Sequence, residues 1–297
     1  MKGILLVGPT GVGKTELSLK LAEKLNCPII SCDSMQVYRG LDVGTAKATL
    51  EEQNRVKHYM IDCVDITEKF SVGDYVSTCS NLLNTLENSH SHCLMVGGTG
   101  LYAKGMVDGL ATLPKEDLEY RRHLEALSLD ALQALLKESD PYSYQNVDIF
   151  NPVRIIRALE VTKQTGRSFF ELSRENHKTH TVNFTTFVLT RDRQNLYNRI
   201  DKRVLDMIDL GLVEEAKLLY LNQKEAITAL QAIGYRELFE YFDGIATLEE
   251  AISKIQQHSR NYAKRQFTWF RKLNHATWID LDTTSTEEAL NTILGNI

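Results

Sequence analysis

The chain has 297 residues, 43% hydrophobic and 25% charged, enough for about two average domains with a buried core that needs no covalent staples. Five cysteines, at 27, 32, 63, 79 and 93, contain no CxxC pair, and no apolar run approaches the roughly 20 residues that span a bilayer. Disulfide scaffolds, secretion and membrane anchoring are therefore not expected, a cytoplasmic setting is, and the net charge of −5, taken as a total, argues against a polyanionic partner.

Residues 3–7 (GILLV) form a short continuous apolar run stopped by Gly8, the pattern of a strand buried on both faces of a parallel sheet. Leu17, Leu21 and Leu25, with Ala22 beside them, place one apolar stripe on a helix over 14–25. Residues 28–32 (PIISC) read as a second strand, so the first 32 residues make a βαβ unit with a right-handed crossover. Leu94, Met95 and Val96, ahead of Gly97-Gly98, read as a third core strand, and 184–190 (FTTFVLT) as the last. Between 113 and 180 strand signals vanish, and Leu118, Leu124, Leu127, Leu132 and Leu135, then 153–161, follow a helical pattern punctuated by Pro114, Pro141 and Pro152. After 190 the pattern is helical almost throughout. In the last long helix Leu248, Ile252, Ile255, Tyr262, Ala263 and Phe270 share one side, and Arg260, Lys264 and Arg271 an adjoining one. The expected fold is α/β: a P-loop NTPase-like parallel sheet core flanked by helices, from residues 1–112 and 183–297, with an all-helical insertion over 113–182 and a helical C-terminal extension.

Resolved along the chain, the charge is two-sided. Residues 151–203 carry eleven Lys/Arg against five acids, and residues 251–278 carry six Lys/Arg and no acid, so each block nets +6 and the remainder −17. Solvated helix faces or a polyanion site both fit these blocks.

Residues 8–15, Gly8-Pro9-Thr10-Gly11-Val12-Gly13-Lys14-Thr15, match GxxxxGK[ST] in full, directly after a strand and before a helix. The glycines let backbone N–H groups converge on phosphate oxygens, the helix adds its positive N-terminal end, Lys14 a point charge, and Thr15 a hydroxyl suited to Mg²⁺. No long apolar strand ends in an Asp suited to a second magnesium ligand, which argues against an ordinary ATPase. Asp33 follows the second strand, at the carboxyl end where open α/β sheets bind ligands. It can accept a proton, hold a metal-bound water, or begin a turn or cap a helix. Ser34, Met35 and Gln36 follow, two of them with groups that read a base edge. Residues 42–47 (DVGTAK) form a glycine-containing polar loop that either closes over the site or only turns the chain. The third strand exits through Gly97-Gly98-Thr99-Gly100, which lets backbone approach a ligand and presents the Thr99 hydroxyl. His90, His92 and Cys93 lack metal-site spacing, and Phe267, Trp269 and Phe270 read as packing rather than base-stacking residues.

Taken together these residues resemble the bacterial tRNA dimethylallyltransferase family, also called tRNA isopentenyltransferases. The matching segments run in order along almost the whole chain: GPTGVGKT (8–15), DSMQVY (33–38), DVGTAK (42–47), HYMID (58–62), FSVGDY (70–75), GGTGLY (97–102), NPVRIIRALE (151–160), TGRS (165–168), RIDKR (199–203), AIGYRE (232–237) and YAKRQFTW (262–269). Tyr59 stands where the family often has His, and Ala48 where Pro is usual. The resemblance implies transfer of a dimethylallyl group from dimethylallyl diphosphate to N6 of the adenosine next to the anticodon, position 37, in tRNAs reading codons that begin with U, with release of pyrophosphate. It implies that loop 8–15, Lys14, Arg203 and Mg²⁺ on Thr15 hold the diphosphate, that Thr99 sits at the bridging oxygen, and that Asp33 is the base. It further implies tRNA contacts by Asp33, Ser34, Met35, Gln36, Thr99, Arg121, Val153, Arg154, Ile155, Ile156 and Arg157, with the anticodon stem-loop captured by the insertion and the core. Lys264 and Arg265 are further candidate phosphate contacts on charge and helix geometry. The chain is expected to act as a monomer. A free-nucleotide (AMP, ADP or ATP) prenyltransferase and a small-molecule P-loop kinase are the alternatives, and a non-catalytic nucleotide-dependent RNA-binding switch is the one outside enzymes. The two basic blocks speak against a small acceptor.

Overall fold

The computed structural model describes residues 1–177, 179–221 and 232–297. Met1–Val107 together with His180–Ile297 form one compact unit, and Asp108–Thr179 a second. Among the described residues eight strands follow in chain order: β1 (Lys2–Val7), β2 (Ile29–Cys32), β3 (His58–Tyr59), β4 (His92–Gly97), β5 (Leu110–Ala111), β6 (Asn176–His177), β7 (Phe184–Thr190) and β8 (Thr277–Asp280).

The first unit is a six-stranded, wholly parallel sheet in the order β3-β2-β4-β1-β7-β8, with helices packed on it. The apolar run of β1 explains its place: Ile4 to Val7 have no exposed surface, which only a strand with neighbours on both sides and helices on both faces achieves. The helix Lys14–Leu25 buries Leu17, Leu21 and Ala22 against this sheet, as its stripe predicts. The register then does the positioning. Val7 and Cys32 both lie opposite Gly97, so β1, β2 and β4 end at one level and their three loops leave the sheet side by side. At Gly97 this closeness requires glycine, since a Cβ would stand 2.0 Å from the Cys32 carbonyl oxygen.

Two strands of this sheet escaped the sequence pattern, and the helical reading after residue 190 is corrected accordingly. β3 has two residues and β8 four, both at sheet edges, and in β8 only Ile279 is buried. Runs this short on an edge carry neither a full alternation nor a continuous apolar stretch. The long helix Leu248–Phe270 is started by a Thr247–Glu250 capping box. It buries Ile255, Ala263 and Phe270 of its stripe and leaves Leu248, Ile252 and Tyr262 partly buried; Ala251 and the polar Gln266, which the stripe omits, are buried as well.

The second unit packs Leu124, Leu132, Leu136, Ile155, Ile156 and Leu159 from its helices into a core of its own. It is not all-helical, because Leu110 and Ala111 pair antiparallel with His177 and Asn176. That ladder belongs to the insertion, so both junctions fall slightly earlier than the sequence placed them. Among the described residues no helix is long and apolar enough to cross a membrane.

Candidate active site

The loop after β1 holds Gly11 at φ 78° and Gly13 at φ 112°, left-handed values that favour glycine and turn the following amides toward a common point. The loop is braced from outside by long-range donors. Arg199 Nε donates to the Gly11 carbonyl at 2.9 Å, Arg191 Nε to the Val12 carbonyl at 2.9 Å, and an Arg203 terminal nitrogen to the Thr10 hydroxyl at 3.2 Å. Lys14 Nζ donates to the Gly8 and Pro9 carbonyls at 2.8 and 2.9 Å, which holds the ammonium over the loop. Pro9 and Val12 contribute backbone and packing, and Val12 is fully buried. Burial, and after it the Arg203 charge, lowers the Lys14 ammonium to about 7, against partial support from Asp33. Burial likewise pushes the Arg203 guanidinium down, and Asp33 pulls it back up. The Asp33 carboxylate thus acts on both cations in the same direction, against their burial.

This electrostatic arrangement has a direct consequence. A phosphoester loses its last proton near pH 6, so above pH 7.5 the charge of a diphosphate donor is constant while free Lys14 is mostly neutral. Binding must then take up a proton, and donor affinity should fall by up to about tenfold per pH unit between 7.5 and 9. Calorimetry with dimethylallyl diphosphate across that range checks this, and Lys14→Met should remove the slope; a flat profile in the unaltered protein sinks the coupling.

At the end of β2, Asp33 Oδ1 accepts from the backbone N–H of Met35 at 2.9 Å and of Gln36 at 3.4 Å, and no bond to Oδ2 is found among the described residues. Asp33 therefore caps its own turn with one oxygen, as one of its two readings expects, and its other oxygen has no hydrogen-bond partner among the described residues. The Ser34 N–H donates to Thr99 Oγ1 at 3.0 Å, the Thr99 hydroxyl faces Ser34 Oγ at 3.4 Å, and the Thr99 N–H donates to the Cys32 carbonyl at 3.1 Å. The loops after β2 and β4 are thereby joined through Thr99. Met35 packs partly buried against the apolar cluster around Val37, Tyr38 and Tyr235.

Gln36 does not fit its expected role as a base reader. Its Oε1 accepts from Ser31 Oγ at 2.9 Å, and its Nε2 donates to the Thr45 and Ala46 carbonyls at 3.1 and 3.3 Å. The side chain is spent fastening the 42–47 loop to β2. That loop is a fixed turn: Glu215 accepts the N–H groups of Asp42, Val43 and Gly44, and buried Lys47 donates to Asp42, Asp62 and the Tyr38 carbonyl.

Two site residues lie on the helix Leu248–Phe270, where only charge and apolar spacing had been read. Gln266 Oε1 accepts the Thr10 N–H at 2.9 Å and its Nε2 donates to the Gly98 carbonyl at 2.9 Å, so one buried amide bridges the phosphate loop and the Gly-rich exit of β4. Gly98 must be glycine to admit it, since a Cβ would stand 2.2 Å from Nε2. One turn earlier lies Tyr262, whose hydroxyl is raised well above the usual phenol range by burial and then by the Asp33 charge. The i, i+4 spacing of Tyr262 and Gln266 was the available signal. Thr15 is exposed in the first helical turn, with no bond to its hydroxyl among the described residues.

The insertion residues divide sharply. Ile155 and Ile156 are 0% and 6% exposed and belong to the core of the second unit, so as side chains they have no surface to offer RNA. Arg121 is bidentate on buried Glu160 at 2.9 and 2.7 Å and also pairs with Glu116, while Arg157 donates to the Pro114 carbonyl at 2.6 Å. A buried carboxylate needs such partners, which accounts for both arginines structurally. Val153 and Arg154 remain exposed. The basic blocks thin out in the same way: Arg167, Lys202, Lys254 and Arg260 pair with Glu175, Asp206, Glu240 and Asp201, and Lys178 lies outside the described residues. Among the described residues no group of three or more His, Cys, Asp or Glu could hold a metal.

The IPP transferase family profile matches residues 36–273. A tRNA dimethylallyltransferase of Fusobacterium nucleatum is 44% identical over 98% of this chain and 96% of its own length. The crystal structure of a tRNA isopentenylpyrophosphate transferase from Bacillus halodurans is similar with a TM-score of 0.72 and 41% identity, covering 99% of this chain and 96% of the other. A eukaryotic dimethylallyltransferase, caught acting on tRNA, gives a TM-score of 0.85 at 26% identity over all of this chain and 80% of its own. With a phosphate loop, a strand-end carboxylate and a threonine hydroxyl brought to one sheet edge, and with this likeness along nearly its full length, the chain belongs to the IPP transferase family.

Proposed function

We infer that the protein is a tRNA dimethylallyltransferase that moves the dimethylallyl group of dimethylallyl diphosphate onto N6 of the adenosine at position 37, beside the anticodon, and releases pyrophosphate. The observation that carries this is the register that ends β1, β2 and β4 at one level, so that the loop holding Lys14, the Asp33 turn and the Thr99 hydroxyl leave one end of one parallel sheet side by side. A base next to a diphosphate cradle suits attack by a weak nucleophile on carbon attached to a leaving diphosphate. The order of β1, the phosphate loop and the helix after it supports a P-loop-type core, and the helices of the second unit an insertion presented to tRNA.

In this reading the adenosine leaves the anticodon-loop stack, at a cost of a few kcal/mol. Its N6 nitrogen forms a bond to the allylic carbon as the carbon–oxygen bond breaks, and the electron pair leaves on the bridging oxygen. Lys14, Arg203 and the amides of residues 10–15 stabilise the charge that develops there, and the Thr99 hydroxyl donates to the bridging oxygen. Asp33 takes the proton that N6 loses. Ser34 orients Thr99, and Gln266 keeps the two loops at fixed separation. The free hydroxyl of Thr15 fits Mg²⁺, a hard cation that takes few protein ligands and would draw the rest from diphosphate and water. When bound it would neutralise part of the pyrophosphate charge.

Incubation with Mg²⁺, labelled dimethylallyl diphosphate, and either unmodified tRNA or AMP tests the assignment. Label should enter tRNA alone. Label in AMP would make the protein a free-nucleotide prenyltransferase, and label in neither would remove the transfer reaction.

A further inference from the structure

We propose that a second site, on the side of the helix Leu248–Phe270 away from Tyr262 and Gln266, binds one nucleotide by stacking its base and holding its phosphate. A cleft of about 510 Å³ opens there between that helix, the start of the helix Arg193–Asp209 and the edge strand β8. It has the size of a small-ligand pocket, and its chemistry is specific. Three aromatic rings line it, Tyr197, Phe267 and Trp278, together with four cations, Arg191, Arg193, Lys264 and Arg271. No Asp or Glu is among its described lining residues.

The rings and charges are arranged for use. Phe267 and Trp278 lie nearly parallel, with planes 14° apart and centroids separated by 6.4 Å, and Trp278 is 41% exposed, although its β8 neighbour Ile279 is buried. The Arg193 guanidinium and the Lys264 ammonium sit 5.3 and 5.9 Å from the Tyr197 ring centre, and Arg193 Nε donates to the Tyr197 hydroxyl at 3.1 Å. Arg193, Lys264 and Arg271 have no carboxylate partner among the described residues, unlike Arg260 on the same helix. Arg191, at the cleft wall, is committed to Asp282 at 2.6 Å and to the phosphate-loop carbonyl of Val12.

Flat apolar faces beside unpaired cations match a ligand that is itself a flat ring joined to a phosphate. An acidic peptide would use the cations and leave the rings unfilled. The nucleotide is either free in solution or part of an RNA chain, and the two sources share this chemistry. The proposal does not rest on the transfer reaction, because it concerns binding in a cleft that contains neither Asp33 nor Lys14.

The chain has two tryptophans, Trp269 and Trp278, so intrinsic fluorescence can report the cleft. The full-length protein, without diphosphate donor, is titrated with AMP and separately with an anticodon stem-loop RNA. Saturable quenching should occur, should disappear in Trp278→Phe, and should need about tenfold more ligand in Arg193→Ala/Arg271→Ala, whose exposed side chains leave the core intact. Quenching by AMP identifies a free nucleotide as sufficient, and quenching by RNA alone identifies a nucleotide within the chain. The proposal is overturned if neither ligand gives a Trp278-dependent signal, or if the double variant binds as the unaltered protein does.

Discussion

Replacing Asp33 with Asn is expected to lower kcat for tRNA prenylation by about 10²- to 10⁴-fold, the usual worth of a positioned base, while tRNA affinity changes by less than about threefold. Asparagine is the informative choice. Asp33 Oδ1 holds the turn by accepting from Met35 and Gln36, and an amide oxygen can do the same, whereas Ala would lose the turn and the base together. Asn cannot take a proton from N6, and it removes the negative charge that supports Lys14 and Arg203. Single-turnover rates at saturating donor separate these effects: loss of the base persists at saturation, and weakened donor binding does not. A kcat within threefold of the unaltered enzyme would exclude Asp33 as the base.

Lys14→Met should lower kcat/KM for dimethylallyl diphosphate by about 10²- to 10³-fold, the scale for removing one charge-stabilising donor from a reaction centre. The same change should stabilise the ligand-free protein. Lys14 falls to about 7 in the folded state from 10.5, so the unfolded chain binds more protons between those values. Stability of the unaltered protein therefore rises with pH across that window, and the penalty of burying the ammonium is fully present below pH 7. Met carries no such penalty, so its gain in Tm should be largest at or below pH 7 and shrink toward pH 10. Lower donor use together with higher Tm marks a functional lysine held against its own stability. Unchanged kcat/KM would take Lys14 out of the site.

Which parts were legible in advance follows from how locally each is encoded. The strand, glycine turn and helix of residues 2–25 were readable because the pattern is contiguous: a buried strand, glycines where φ turns positive, a lysine and a helix start lie within one short segment. Asp33 was readable because a strand end in a parallel sheet is a place, and β2 announces itself by its apolar run. Gln36 and Arg121 were misread for the opposite reason. Both carry groups suited to RNA, but Ser31, Thr45 and Ala46 consume the first and Glu160 and Glu116 the second. Gln266 was passed over because its two partners, Thr10 and Gly98, lie 256 and 168 residues away along the chain.

The sequence by itself determined the family, the glycine turn after β1, the central strands and the amphipathic helices, since each rests on residue types at fixed short spacing. Only the tertiary structure decided which polar side chains are spent on the protein and which remain for a ligand. A donor or acceptor buried without a partner costs about 1–3 kcal/mol, so folding pairs such groups with whatever the packed chain brings near. Those partners come from register and packing, which bring β2, β4 and the helix Leu248–Phe270 to one edge and leave Thr15 and one oxygen of Asp33 without protein partners among the described residues.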